Sequence, residues 1–173
     1  MTIAERLLQE LDQEAQATRR VLERVPQEHL GWKPHEKSMT LGQLARHVTI
    51  IPGGVASAVA QPTRQVPDFA HPTVTDVREL LPLLEESVAQ AHSILAPMSD
   101  ADMQATWRLV NGEQTIMAMP RVAFLRSIML NHWYHHRGQL SVYLRQLGVP
   151  LPSIYGPSAD ENPFATPAAA AVA

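Results

Sequence analysis

The stretch PRVAFLRSIMLNHWYHHRGQLSVYLRQL, residues 120–147, decides the fold because its apolar residues recur at helical spacing. Proline suits the first helical position, and glycine at 148 suits the position just past the end. With Leu125 taken as the centre of the buried face, five other apolar or aromatic side chains share its side. They are Ile128, Met129, Leu140, Tyr143 and Leu147. The stretch therefore predicts one long amphipathic helix, the fourth of the chain.

Two histidines of this helix fall on the same predicted inner face. His132 and His136 lie within roughly 20° of the centre of the face, whereas His135 lies about 80° away at its edge. Imidazoles at positions i and i+4 stack one above the other and form a ready pair of metal ligands. A third inward-facing histidine, His47, belongs to an earlier predicted helix. The pattern predicts that the three meet in the interior around one divalent metal.

Three further segments carry the same helical period. The first begins after a capping box of Thr2 and Glu5, and the second after one of Thr40 and Gln43. The second should kink or be interrupted at Pro52. The four predicted helices span Ile3 to Arg24, Thr40 to Ala60, Val74 to Ala96 and Pro120 to Leu147. This number and length of helices predict an all-α four-helix bundle.

The connections between the helices are uneven. The segment 61–73 contains three prolines and predicts a long irregular crossover. Between the third and fourth helices, Asn111-Gly112 predicts a short hairpin with a two-residue turn. Residues 1–162 form the predicted domain, and residues 163–173 an alanine-rich tail.

Composition excludes several classes of function. Among 173 residues with a net charge of −3, only two are lysines and the arginines are scattered, so no basic surface for nucleic acid is expected. The absence of cysteine rules out disulfides and thiolate ligands. No signal peptide and no apolar stretch of about 20 residues is visible, so the expectation is a soluble, cytoplasmic protein without a membrane partner.

Three neutral nitrogen ligands leave coordination positions free for water or substrate, which is typical of a catalytic site. Glu14 falls near the middle of the buried face of the first helix. It is either an orienting carboxylate or further ligand of the metal, or a sign that the helical register is wrong by one residue. Gln139 and Tyr143 either line the same cavity or make ordinary bundle contacts. His71 is predicted to be a solvated loop residue.

The chain resembles the DinB/YfiT-like superfamily over about residues 2–162. The most specific match is the run His132-x-x-x-His136-Arg137-Gly138-Gln139-Leu140. The other matching segments are Trp32-Lys33-Pro34-His35, Thr40-Leu41-Gly42-Gln43-Leu44-Ala45-Arg46-His47, Tyr143-Leu144-Arg145-Gln146-Leu147-Gly148-Val149-Pro150 and Ser153-Ile154-Tyr155-Gly156-Pro157-Ser158.

The resemblance implies an up-down-down-up bundle that forms a homodimer. It also implies a divalent metal held by His47, His132 and His136, with zinc or nickel the leading candidates and iron or manganese further ones. Related proteins use low-molecular-weight thiols in transferase or isomerase reactions. The leading hypothesis is a metalloenzyme that activates a thiol or water for transfer or hydrolysis of a small molecule. The alternatives are a stress-response protein with a structural ion, and an interaction module whose histidines are core polar residues.

Overall fold

The computed structural model describes residues 1–68 and 70–164, and it is mostly helical with one small sheet. The helices are α1 (Ile3–Leu22), α2 (Leu41–Val59), α3 (Leu80–Leu95), α4 (Asp100–Gln104), α5 (Arg121–Phe124) and α6 (His132–Gln146). The strands are β1 (Thr63–Gln65), β2 (Thr106–Asn111) and β3 (Gln114–Pro120). Within the described ranges, no helix has the length and apolar character needed to cross a membrane.

The beginnings of the first two helices are those that the sequence predicts. Thr2 with Glu5 and Thr40 with Gln43 both form complete capping boxes, which satisfy N–H groups of the first turn. The third helix begins at Leu80 rather than at Val74, after a 3-10 turn capped by Asp76. Val74 is buried in the core from a loop, so an apolar residue at this position did not indicate a helix.

Helix α2 continues through Pro52, where the sequence predicted a kink or an interruption. Proline has no N–H, so the carbonyl of Val48 loses its intrahelical donor. The indole N–H of Trp133 donates to that carbonyl over 2.8 Å. The next N–H, of Gly53, donates to Ser87 Oγ of α3 over 2.8 Å. Neighbouring helices therefore satisfy the backbone around the proline.

A three-stranded sheet corrects the expectation of an all-α fold. β2 pairs antiparallel with β3, and β1 pairs parallel with β2. The turn between β2 and β3 consists of Gly112 and Glu113, one residue later than predicted, and Gly112 takes the positive φ of 59° that glycine tolerates. β1 lies in the crossover that the sequence predicted to be irregular.

The last helical stretch contains a π-helical segment, Leu125–Asn131, between α5 and α6. A π turn holds one more residue than an α turn, so it moves the residues after it around the helix axis. The predicted stripe through His132 and His136 is therefore wrong by one position. The buried residues of α6 are Trp133, Arg137, Leu140 and Leu144.

The core lies between the long helices, and α2 packs against both α3 and α6. Its fully buried side chains come from all the long helical stretches and from β2. They include Leu11, Leu41, Leu44, Leu80, Leu95, Trp107, Leu125, Met129 and Trp133. The predicted alanine-rich tail lies outside the described residues from position 165 onward. Because α2 faces α6, His47 faces the two histidines of the last helix.

Candidate metal centre

The structure brings together the three histidines that the sequence singled out. Nε2 of His47 lies 3.1 Å from Nε2 of His132. The ring centroid of His136 is 4.5 Å from that of His47 and 4.3 Å from that of His132. One ring nitrogen from each residue can be chosen so that all three lie within 4.8 Å of one another. Two helices thus present three nitrogen donors to one small volume.

This donor set fits a divalent transition metal. Zinc holds imidazole nitrogens at 2.0–2.1 Å, so two ligands in tetrahedral geometry lie about 3.3 Å apart. The distance of 3.1 Å between the nitrogens of His47 and His132 is close to that value.

The electrostatics of the site keep the imidazoles neutral, which is the form that binds metal. Burial first, and the neighbouring imidazoles second, lower the pKa of His47 to about 4. Burial and the ring of His132 also lower the pKa of His136 to about 4. The pKa of His132 is lowered by burial and by His135. At neutral pH all three therefore offer lone pairs.

Gln139 fixes the orientation of one of these rings. Its Oε1 lies 2.8 Å from Nδ1 of His136, one helical turn away. With the amide oxygen facing it, Nδ1 carries the proton and Nε2 is left free to bind a metal. Tyr143 does not contact a histidine in this way. Its ring packs edge-on against Trp32 at 5.5 Å.

The three histidines are half-buried rather than interior, which corrects the expectation of a buried site. They lie at the edge of the bundle because the π-helical segment turns Trp133 and Arg137 inward in their place.

A fourth histidine, His71, stands over this edge. Its ring centroid lies 5.8 Å from that of His47, although the side chain is exposed. Gln43, one turn before His47, donates from Nε2 to the His71 carbonyl over 2.8 Å and holds the crossover in place. Sequence reasoning missed His71 because a loop has no periodicity that indicates where its side chains lie.

Glu14 has a different partner from the one proposed for it. Its carboxylate lies 2.6 Å from Nη2 of Arg137 and accepts a hydrogen bond of 2.7 Å from the Tyr155 hydroxyl. Among the hydrogen bonds of the described residues, none joins Glu14 to an imidazole. The carboxylate on the buried face of α1 is explained by Arg137, whose side chain is only 2% exposed.

Two cavities lie elsewhere on the surface. One of about 410 Å³ is lined by residues from the loop before α2, from the first turn of α2 and from the crossover, among them Thr40, Gln43 and Thr73. The other, of about 310 Å³, lies between α1 and α3. Neither is lined by the three histidines, so the chemistry of the donor set, and not cavity size, identifies the site.

Comparison with known proteins identifies the family of the chain. Residues 1–165 match the DinB family. The chain belongs to the DinB family. A DinB relative, the uncharacterized protein YrdA of Bacillus subtilis strain 168, is 30% identical over 149 residues, which cover 86% of this chain and 85% of YrdA.

Solved DinB structures share the fold. A DinB-like protein of Bacillus cereus superposes with a TM-score of 0.70 at 24% identity, covering 87% of this chain and 97% of that one. YfiT of Bacillus subtilis superposes with a TM-score of 0.63 at 14% identity, covering 84% of this chain and 87% of YfiT. YfiT is described as a probable metal-dependent hydrolase with an unusual four-helix bundle topology. At these identities the likeness establishes the fold alone.

Proposed function

We propose that this DinB protein is a metal-dependent enzyme that activates water or a low-molecular-weight thiol for attack on a small electrophilic substrate. His47, His132 and His136 would hold one divalent cation. The observation that carries the proposal is the convergence of their nitrogens within 4.8 Å at an edge open to solvent. Imidazole ligands suit zinc and nickel first, and iron or manganese are further candidates.

Such an ion, when bound, supplies Lewis acidity that lowers the pKa of a water or thiol ligand. The residues of the chain prepare the site for it. Gln139 keeps the proton on Nδ1 of His136, and burial keeps the imidazoles unprotonated. Three protein ligands leave a position for a substrate atom. The half-buried location gives that atom a path from solvent.

The description of YfiT as a probable metal-dependent hydrolase supports the choice of water as one nucleophile. The thiol alternative rests on the wider resemblance to thiol-dependent transferases. We extend the proposal to an up-down-down-up helix order and to a homodimer, which the same resemblance implies, and to the cytoplasmic location that the sequence predicts. The competing function is that of a stress-response protein whose ion only stabilises the bundle.

Metal content tests the first step. Protein purified without a histidine tag should contain about one divalent cation per chain by elemental analysis. His136→Ala should lose that cation because it removes one of three ligands. His135→Ala is the matched control, since His135 is the exposed neighbour on the same helix. Equal metal content in the two variants would refute the proposed ligand set.

Turnover tests the second step. Metal-loaded protein is screened by thermal shift against glutathione, bacillithiol and mycothiol, and then assayed with a panel of electrophiles and esters. Metal-dependent turnover that His136→Ala abolishes and His135→Ala retains would support the enzyme. A large loss of melting temperature on chelation, with no turnover in either assay, would favour the structural ion.

A further inference from the structure

Two buried tryptophans donate to carbonyl groups of α2 that have no donor within the helix. Trp133 donates from Nε1 to the Val48 carbonyl over 2.8 Å, and residue 52, four positions later, is proline. Trp107 donates in the same way over 2.8 Å to the Ala58 carbonyl, which has no intrahelical donor because α2 ends at Val59. Both indoles are fully buried. The two bonds have the same chemistry but lie at different places along α2.

Only the Trp133 bond lies beside the histidines. Val48 directly follows His47, and Trp133 directly follows His132. The hydrogen bond therefore joins the two ligand-bearing helices one residue away from the nitrogens that lie 3.1 Å apart. Trp107 instead ties the end of α2 to β2, about three helical turns away from His47.

A hydrogen bond constrains this helix pair in a way that its apolar contacts do not. Leucine and methionine side chains tolerate small sliding movements, whereas an N–H···O bond weakens steeply as its length and angle change. Because Pro52 removes the competing donor, the Val48 carbonyl is free to accept from α6. The hydrogen bond thereby fixes the position of α6 along α2 beside the three histidines.

We infer that Trp133 is a positioning residue for the metal, acting through its hydrogen bond to the carbonyl that Pro52 leaves free. This inference rests on the proposed function, in which His47 and His132 bind the same cation. Loss of the bond would let the two imidazoles move apart and would weaken metal binding, although Trp133 itself contacts no metal.

The test compares Trp133→Phe with Trp107→Phe, each of which keeps an aromatic ring and loses one buried N–H. Co²⁺ affinity is measured by chelator competition, and the visible absorption spectrum reports the geometry around Co²⁺. Trp133→Phe should weaken the affinity about tenfold, which is the scale of one lost buried hydrogen bond, and should alter the spectrum. Trp107→Phe should leave the affinity within about twofold of wild type and the spectrum unchanged.

A second pair of variants leaves both indoles in place. Pro52→Ala restores an N–H within α2 that competes for the Val48 carbonyl, so Co²⁺ affinity should fall about threefold or more. Pro62→Ala, a proline beyond the end of α2, is the control and should not change it. Equal affinities within each pair would overturn the role of Trp133 while leaving the metal site intact. Failure of the wild-type protein to bind Co²⁺ or Zn²⁺ would overturn the proposed function and this role with it.

Discussion

Replacing Arg137 by methionine should destabilise the protein strongly. The guanidinium is 2% exposed, lies 2.6 Å from the Glu14 carboxylate and donates to the Glu14 carbonyl and to Thr18 Oγ1, each over 3.1 Å. It also bonds to the Tyr155 hydroxyl. Removing one partner of a buried ion pair costs about 3–5 kcal/mol because the other charge is left in the interior. Glu14 keeps 14% exposure, so we expect the lower end of that range.

A loss of about 3 kcal/mol corresponds to a fall in melting temperature of about 6–12 °C for a protein of this size. Urea denaturation of metal-free protein measures the free energy of unfolding directly. Arg126→Met is the matched control, because Arg126 pairs with Glu10 on the surface, where the two side chains are 48% and 35% exposed. Its cost should stay below about 1 kcal/mol.

Glu14→Gln completes a double-mutant cycle with Arg137→Met. With Arg137→Met it should give a double variant that is more stable than the sum of the two single losses predicts, by about 1 kcal/mol or more. Glu14→Gln should also leave metal affinity unchanged, since its carboxylate contacts Arg137 and Tyr155. Equal losses for Arg137→Met and Arg126→Met would refute the argument from burial. Loss of the metal in Glu14→Gln would instead support the orienting role that the sequence suggested.

Three further outcomes are expected. Gly53→Ala should lower the free energy of unfolding by about 1–3 kcal/mol in thermal or urea unfolding, because the added Cβ would lie 2.9 Å from a backbone oxygen of α3. Gly54→Ala is the control: its Cβ would meet open space, and the variant should gain up to about 1 kcal/mol of stability. Gln139→Leu should weaken Zn²⁺ affinity in chelator competition about tenfold or more by removing the acceptor for Nδ1 of His136, and unchanged affinity would contradict that role. In metal-free protein the pKa values of His47 and His136, about 4, lie below the unfolded value of about 6.5, so the unfolded chain binds protons first as the pH falls. The free energy of unfolding, measured by urea titration at successive pH values, should be highest above about pH 6.5 and should decline between about pH 6.5 and 4. A flat profile would contradict the lowered pKa values.

Local signals in the sequence were sufficient for the long helices. The capping boxes at Thr2 and Thr40 form through side chains three residues apart, so the sequence contains all of the information. The start of α3 was misplaced because the apolar residue Val74 is buried from a loop. β1 was missed because it is a short, exposed strand whose three residues pair only with β2, a partner distant in the chain.

The candidate site, like the fold, could be predicted from the sequence only in part. His132 and His136 share a helix, so their spacing alone places them together, and His47 follows from the inner face of α2. His71 and the Trp133 bond depend on how distant segments meet in three dimensions. The missing N–H of Pro52 is visible in the sequence, but its consequence, a carbonyl open to a donor from another helix, requires the fold.

The π-helical segment explains why periodicity found the three clustered histidines and misjudged their exposure. Counting about 100° per residue from Leu125 centres His132 and His136 on the buried face. The extra residue in the wide turn moves that centre to Trp133 and Arg137, which are the side chains found inside. At the edge of the bundle the imidazoles are half-buried, which is enough to lower the pKa values of His47 and His136 to about 4. The same shift directs Trp133 to α2 and Arg137 to α1, so one irregular turn places the donors, the bond that aligns them and the ion pair that anchors their helix.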